Sequence, residues 1–451
     1  MDTLELSRLQ FALNITFHIL FPAITIGLAW FLVFFKVKVV LSANPDQADI
    51  WMRCYRFWVK LFALTFALGV VSGITMSFQF GTNWPGFMEV AGNIAGPLLG
   101  YEVLTAFFME ATFLGIMLFG IKRVKPWLHT SATVFVAIGT TLSAFWIIAL
   151  NSWMHTPTGY EFRDGVLFPM SWMQIVFNPS MPYRLAHVLL ASGLTAAFLI
   201  AGISAYRLLK GDKKPAPKMS LRSAIVVAAL LVPLQILSGD LHGLNTFQHQ
   251  PAKIAAMEGI WETQTGAPFV IFAWPNERTQ QNDYALTVPK LASFVLTHNL
   301  NGEVKGLNEF AGVHPPVAPV FFSFRIMLAT GFAMLAAAVW GLWSVVINHQ
   351  YNKPTLQIFL YMTFSGWVAT LAGWYVTEIG RQPWLVTNLL DTASAVTTQP
   401  VENVAISLTT YLLVYSLLLV SYVSTIFYLA RKSADLENDL YPPSMNEAPA
   451  T

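Results

Sequence analysis

Residues 184–208 read RLAHVLLASGLTAAFLIAGISAYRL. Between Arg184 and Arg207 the only Asp, Glu, Lys, Arg or His is His187. At 1.5 Å per residue, a helix of this length spans the ~30 Å hydrocarbon core of a bilayer. Eight more stretches of this kind lie near 10–35, 57–80, 95–121, 128–151, 220–240, 319–347, 355–378 and 403–430. The pattern predicts an all-α fold, a polytopic membrane bundle of about nine transmembrane helices, each closing its backbone hydrogen bonds within itself. Composition agrees. Of 451 residues 55% are hydrophobic and 11% charged, against about 25% charged in soluble domains. That excludes an ordinary cytosolic enzyme and a disordered chain. A net charge of +2 leaves no basic footprint for nucleic acid. The single cysteine, Cys54, excludes an internal disulfide framework, and no Cys-x-x-Cys-His marks a covalent haem.

Loop charges set the expected orientation. Lys36, Lys38, Arg53 and Arg56 follow the first stretch; Lys122, Arg123 and Lys125 follow the third. Arg207, Lys210, Lys213, Lys214, Lys218 and Arg222 surround the fifth-to-sixth turn, and Arg431 and Lys432 follow the last. Residues 81–94 carry no Lys or Arg. Positive residues mark the cytoplasmic side, so the N-terminus is expected outside and the C-terminus in the cytoplasm. The first apolar run is too long for a signal peptide, and Asp2 and Glu5 precede it. The chain divides into 1–240 with six helices, an extracytoplasmic loop at 241–318, 319–432 with three helices, and a polar cytoplasmic tail at 433–451, as one integrated membrane domain. The location expected is the bacterial cytoplasmic (inner) membrane. A connection as long as 241–318 is more often functional than idle.

Ionisable residues within a bilayer are costly and point to function. Of nine histidines, only His18 and His187 fall well inside apolar stretches. With Met327 and Glu378 they lie in the expected outer half of the membrane. Imidazole and thioether suit a six-coordinate haem, and a lone imidazole or carboxylate suits an iron with an open position; core packing and interhelical hydrogen bonding are the plainer alternatives. Glu102 and Glu110 share the third stretch, about 12 Å and about 80° of azimuth apart on an ideal helix. Such a pair suits a proton relay or structural hydrogen bonding; Ser143 on the fourth stretch extends the relay, with plain packing its alternative. Arg325 and Arg381 sit at membrane boundaries, where a guanidinium grips a propionate, pairs with an acid or snorkels.

These residues lie in motifs. They include ELSRLQF (5–11) before His18, FQFGTNW (78–84), Glu102 with FFME (107–110), WETQ (261–264), FRIM (324–327) and GRQPW (380–384). Over nearly its whole length the chain resembles subunit I of the cytochrome bd-type quinol oxidases. The resemblance implies that His187 and Met327 are the axial pair of a low-spin haem b. It implies that His18 and Glu378 ligate a high-spin haem b and an oxygen-reactive haem, d or b. Arg325, Arg381 and Trp374 would adjoin the haems, and Glu102, Glu110 and Ser143 would line the proton route. Lys253 and Glu258 would bind quinol in the outer "Q-loop". About a dozen residues separate Lys305 from Val317, as in short-loop members, which include the cyanide-insensitive oxidases. The implied partners are quinol, dioxygen, lipid, a second large membrane subunit and a small single-span one. Two rival readings are a secondary transporter, which would carry no haem, and a haem-b electron-transfer subunit without oxygen chemistry.

Overall fold

The computed structural model describes residues 2–432; the tail from Ser433 lies outside the described residues. Among the described residues nine helices are long and apolar enough to cross a membrane: Thr3–Leu41, Pro45–Thr82, Pro85–Phe119, Pro126–His155, Met181–Leu209, Pro215–His249, Val317–Ile347, Lys353–Ile379 and Val401–Arg431, the first to ninth spans. Proline opens many of them, as at Pro45, Pro85, Pro126 and Pro215. Its fixed φ suits a first helical turn, where its missing N–H is no loss.

The fifth span is the centre. Over its most apolar window 72% of residues are buried, against 17% in the third and ninth spans, so it is enclosed by protein while they face outward. Small residues allow this. A Cβ on Gly27 would strike Ser192 O, one on Gly202 would strike Thr363, and one on Gly366 would meet the Thr195 backbone at 2.5 Å. Close backbone approach of this kind replaces the hydrophobic drive that lipid does not supply. Around it lies a core of Phe21, Phe35, Trp58, Phe62, Phe198 and Phe359.

Two spans are interrupted beside candidate functional residues. The first span is two helices, Thr3–Ile19 and Pro22–Leu41. Pro22 stands four residues after His18 and cannot donate to its carbonyl, so the helix breaks just beyond that histidine. In the third span, Glu102–Phe107 is a π-helical turn between Pro85–Tyr101 and Phe108–Phe119.

The connections at 83–84, 156–180, 250–316 and 380–400 gather at one end with the start of the chain. Asn83 O accepts from Thr397 N, Met154 O from Thr387 N, and Arg8 Nη2 donates to Thr392 Oγ1 at 2.5 Å. Four antiparallel ribbons lie here, which apolar periodicity does not anticipate: Tyr160–Arg163 with Val166–Pro169, Gln264–Thr265 with Glu303–Val304, Phe269–Asn276 with Gln281–Val288, and Trp384–Val386 with Leu390–Asp391.

Candidate functional site

Beneath those connections the ends of four spans and one loop helix converge. The eighth span brings Trp374, Glu378 and, just past its end, Arg381, at i, i+4 and i+7 on one face. Glu378 Oε2 accepts from Arg381 Nη2 at 2.5 Å and Oε1 from Asn151 Nδ2 at 2.8 Å. His155, ending the fourth span, places Nε2 3.6 Å from the same Oε1. Its Nδ1 meets Gln250 Nε2 at 3.1 Å and Lys253 Nζ at 3.2 Å. Gln250 Oε1 accepts from Lys253 at 2.9 Å and from Arg184 at 3.3 Å. Glu378, Arg381 and Lys253 are thus members of one buried network, with His155 between the carboxylate and the lysine. Burial, then the nearby Arg184, pulls the Lys253 amine well below the usual lysine range, against the opposing pull of Glu378. Burial likewise lowers Arg381, again opposed by Glu378.

Lys253 and Glu258 ride on the short helix Pro251–Glu258. Proline starts it. Gly259, at φ +67°, ends it, with Ile260 N bonding back to Ala255 O. A side chain there would be strained in the left-handed region and would press on Phe321 at 3.1 Å. The stem of Lys253 lies over Gly380, where a Cβ would come within 2.9 Å of it. Glu258 is buried, its Oε2 3.5 Å from Arg325 Nη2. Burial pushes its carboxyl up to about 7, with Arg325 pulling the other way. Arg325 donates to Val270 O at 2.6 Å and to Met257 O, and stacks on Phe321 at 3.6 Å. The structure therefore turns Arg325 toward the loop helix. Arg381 keeps Nε and Nη1 without acceptors among the described residues.

His187 lies against the sixth span: Gln235 Nε2 is 3.1 Å from its Nε2, and His242 packs edge-on at 5.5 Å. Met327 lies against the eighth, beside Gly373. His18 places Nδ1 2.9 Å from Ser72 Oγ. That hydroxyl gives its one proton to Leu68 O at 2.7 Å, so it accepts from Nδ1–H and leaves the His18 Nε2 lone pair for a metal. Farther along, Ser143 Oγ donates to Glu102 Oε1 at 2.8 Å. Glu110 is buried, its Oε1 without a hydrogen-bond partner among the described residues and its Cγ 2.6 Å from where a Gly139 Cβ would stand. The π-helical turn corrects the azimuth expected for an ideal helix. One extra residue in the turn removes about 100°, reducing about 80° to about 20°. Both carboxylates accordingly meet Gly139 and Ser143, one turn apart on the fourth span.

His155, Arg184, Gln250 and His242 are cluster members that sequence reasoning passed over. His155 closes its helix and His242 lies just past the 220–240 apolar stretch, so both read as end residues. Only the packing of the loop over them makes His155 buried.

A membrane bundle with several ionised groups sealed under one end is a multi-pass membrane protein built for charge chemistry. The family model for cytochrome bd terminal oxidase subunit I matches residues 6–434, and the chain belongs to that family. It is 34% identical to cytochrome bd-II ubiquinol oxidase subunit 1 of Escherichia coli (strain K12), over 96% of this chain and 97% of that protein. It is 35% identical to cytochrome bd ubiquinol oxidase subunit 1 of Bacillus subtilis (strain 168), over 88% and 86%. The solved structure of bd oxidase from Geobacillus thermodenitrificans superposes with a TM-score of 0.88 at 30% identity, covering 96% of this chain and 99% of that one. Membership sets the transporter reading aside.

The side chains present fit haem. Among the described residues no three His, Cys, Asp or Glu cluster to hold a bare ion. Isolated single donors are what an iron already bound by four porphyrin nitrogens requires. His18, His187 and Met327 each lie against a helical glycine: Gly73, Gly239 and Gly373, at 3.3, 3.4 and 3.0 Å from a would-be Cβ. The open donors of Arg381 and Trp374 Nε1, which has no partner among the described residues, suit an anionic group such as a propionate.

Proposed function

We propose that this chain is the haem-bearing subunit of a terminal oxidase of the inner membrane. It oxidises ubiquinol or menaquinol at its outer face and reduces dioxygen to water. The end carrying the ribbons and the Lys253 network is the outer one, in keeping with the lysines and arginines at the other end. Lys253 binds a quinol oxygen. Glu258 takes a proton from the substrate and releases it outward, since a carboxyl titrating near neutrality is matched to that transfer. His187 and Met327 would hold a low-spin haem b, and His18 and Glu378 two more haems (one high-spin b, the other d or b); these groups would supply the electron-accepting and oxygen-binding iron. Glu110 and then Glu102 carry protons from the cytoplasm, with Ser143 holding Glu102. Two quinols release four protons outside, and one dioxygen takes four electrons and four protons to give two waters. Charge is separated without a pump, and each charge moved against 100 mV stores about 2.3 kcal/mol. A second large membrane subunit and a small single-span one complete the complex, covering apolar faces such as Leu413, Leu417 and Val420 on the ninth span.

The observation that carries this reading is the Lys253–His155–Glu378–Arg381 cluster, in which one hydrogen bond to His155 and one 3.6 Å contact from its ring separate the candidate substrate lysine from a candidate iron ligand. Two measurements test it. Reduced-minus-oxidised spectra, with and without carbon monoxide, should show low-spin and gas-binding haem together. Vesicles should consume protons on the side opposite quinol oxidation; consumption on the same side contradicts the proton route.

A further inference from the structure

His155 stands between two groups with separate assignments, and its protonation pattern is set by its neighbours. Arg184 has only N–H donors, so the Gln250 atom 3.3 Å from its Nη2 is the amide oxygen. Lys253 donates to that same oxygen. The Gln250 nitrogen then donates to His155 Nδ1, which accepts with its lone pair. The ring proton is therefore on Nε2, facing Glu378 Oε1. One turn earlier, Asn151 donates to the same carboxylate oxygen. The fourth span thus sets an i, i+4 pair of side chains against Glu378, Asn151 as a hydrogen-bond donor and His155 Nε2 in contact at 3.6 Å, and only the second of the pair also touches Lys253.

We propose that His155 is a positioning residue that joins the quinol site to the Glu378 carboxylate: Nδ1 aims the Lys253 amine at the quinol headgroup, and the Nε2 edge of the ring, packed 3.6 Å from Glu378 Oε1, keeps the carboxylate in register with it. This rests on the reading of Lys253 as a quinol ligand. Its consequence is that a headgroup bound at Lys253 is felt at Glu378 through one rigid ring.

Three variants separate the two nitrogens. In H155N the amide oxygen stands near the place of Nδ1, in H155Q the amide nitrogen stands near the place of Nε2, and H155L has neither. The readouts are KM for a short-chain quinol and the haem absorption change when the oxidised enzyme is titrated with a hydroxyquinoline N-oxide as headgroup analogue. H155N should keep KM within about twofold and lose the absorption change. H155Q should raise KM roughly tenfold, the scale of one hydrogen bond to a charged group. H155L should do both. Equal KM values for H155N and H155Q overturn the proposal, including when H155L does not assemble, and so does a wild-type absorption change in H155N. K253M distinguishes the two failures. If K253M leaves KM unchanged, the quinol reading fails. If K253M raises KM while H155Q does not, only the role of His155 fails.

Discussion

Glu378 has nitrogen atoms of Arg381, Asn151 and His155 within 3.6 Å. Glu110, still less exposed, has no partner for Oε1 among the described residues. The first carboxylate sits where helix ends and a loop helix converge, so polar side chains from distant parts of the chain reach it beside the local Arg381. The second sits within a span and lies against the face of the fourth span at Gly139. Burying a charge is costly unless it is paired. The end of the bundle therefore suits a charge held in place, and the span suits a carboxyl that hands a proton on.

The contrast can be broken at its strongest point first. R381L leaves Glu378 without its cation. Breaking a buried pair costs about 3–5 kcal/mol, and the expected result is loss of the carbon-monoxide-binding haem signal and of activity; a full signal ends the idea that this pair organises the site. E110A should lower oxygen consumption by about 100-fold while every haem band stays, as removal of one proton-transfer group implies. Unchanged turnover would remove Glu110 from the route. G139A drives a methyl into Glu110 Cγ, an overpacking of about 1–3 kcal/mol. Turnover should fall about tenfold with an unaltered spectrum, between wild type and E110A.

Glu258 supplies the pH test. Its carboxyl is pushed up to about 7, so below that pH it keeps its own proton and cannot take one from quinol. The kcat/KM for quinol should rise with pH through about 7 and level above it, and E258Q should be low and flat across the same range; a wild-type profile in E258Q excludes it as the base. The smallest effect belongs to S143A. It loses one hydrogen bond to Glu102, worth about 0.5–1.5 kcal/mol, and should slow turnover about threefold.

Much of the candidate site was legible because membrane sequence makes polar residues conspicuous. His18, His187, Glu102 and Glu110 stand out against apolar neighbours, and the GRQPW motif carries Arg381. His155 and Arg184 were not legible. A polar residue at a helix end reads as interfacial, and nothing local says that the 250–316 segment will fold back over it. The direction of Arg325 was hidden too, since its choice of Val270 and Met257 as partners depends on how the loop docks. The alignment of Glu102 with Glu110 needed the π-helical turn, a deviation that 3.6-residue arithmetic does not contain.

Hydropathy alone determined the number of spans, their approximate limits and the all-helical bundle, because lipid obliges each crossing segment to be apolar and to satisfy its own backbone. Tertiary structure alone decided which buried charges share a network. Ionisable groups on the fifth and eighth spans and on the loop helix, with the polar side chains of the fourth, offset one another only when packing brings them within a few ångströms, and distance along the chain carries no record of that approach.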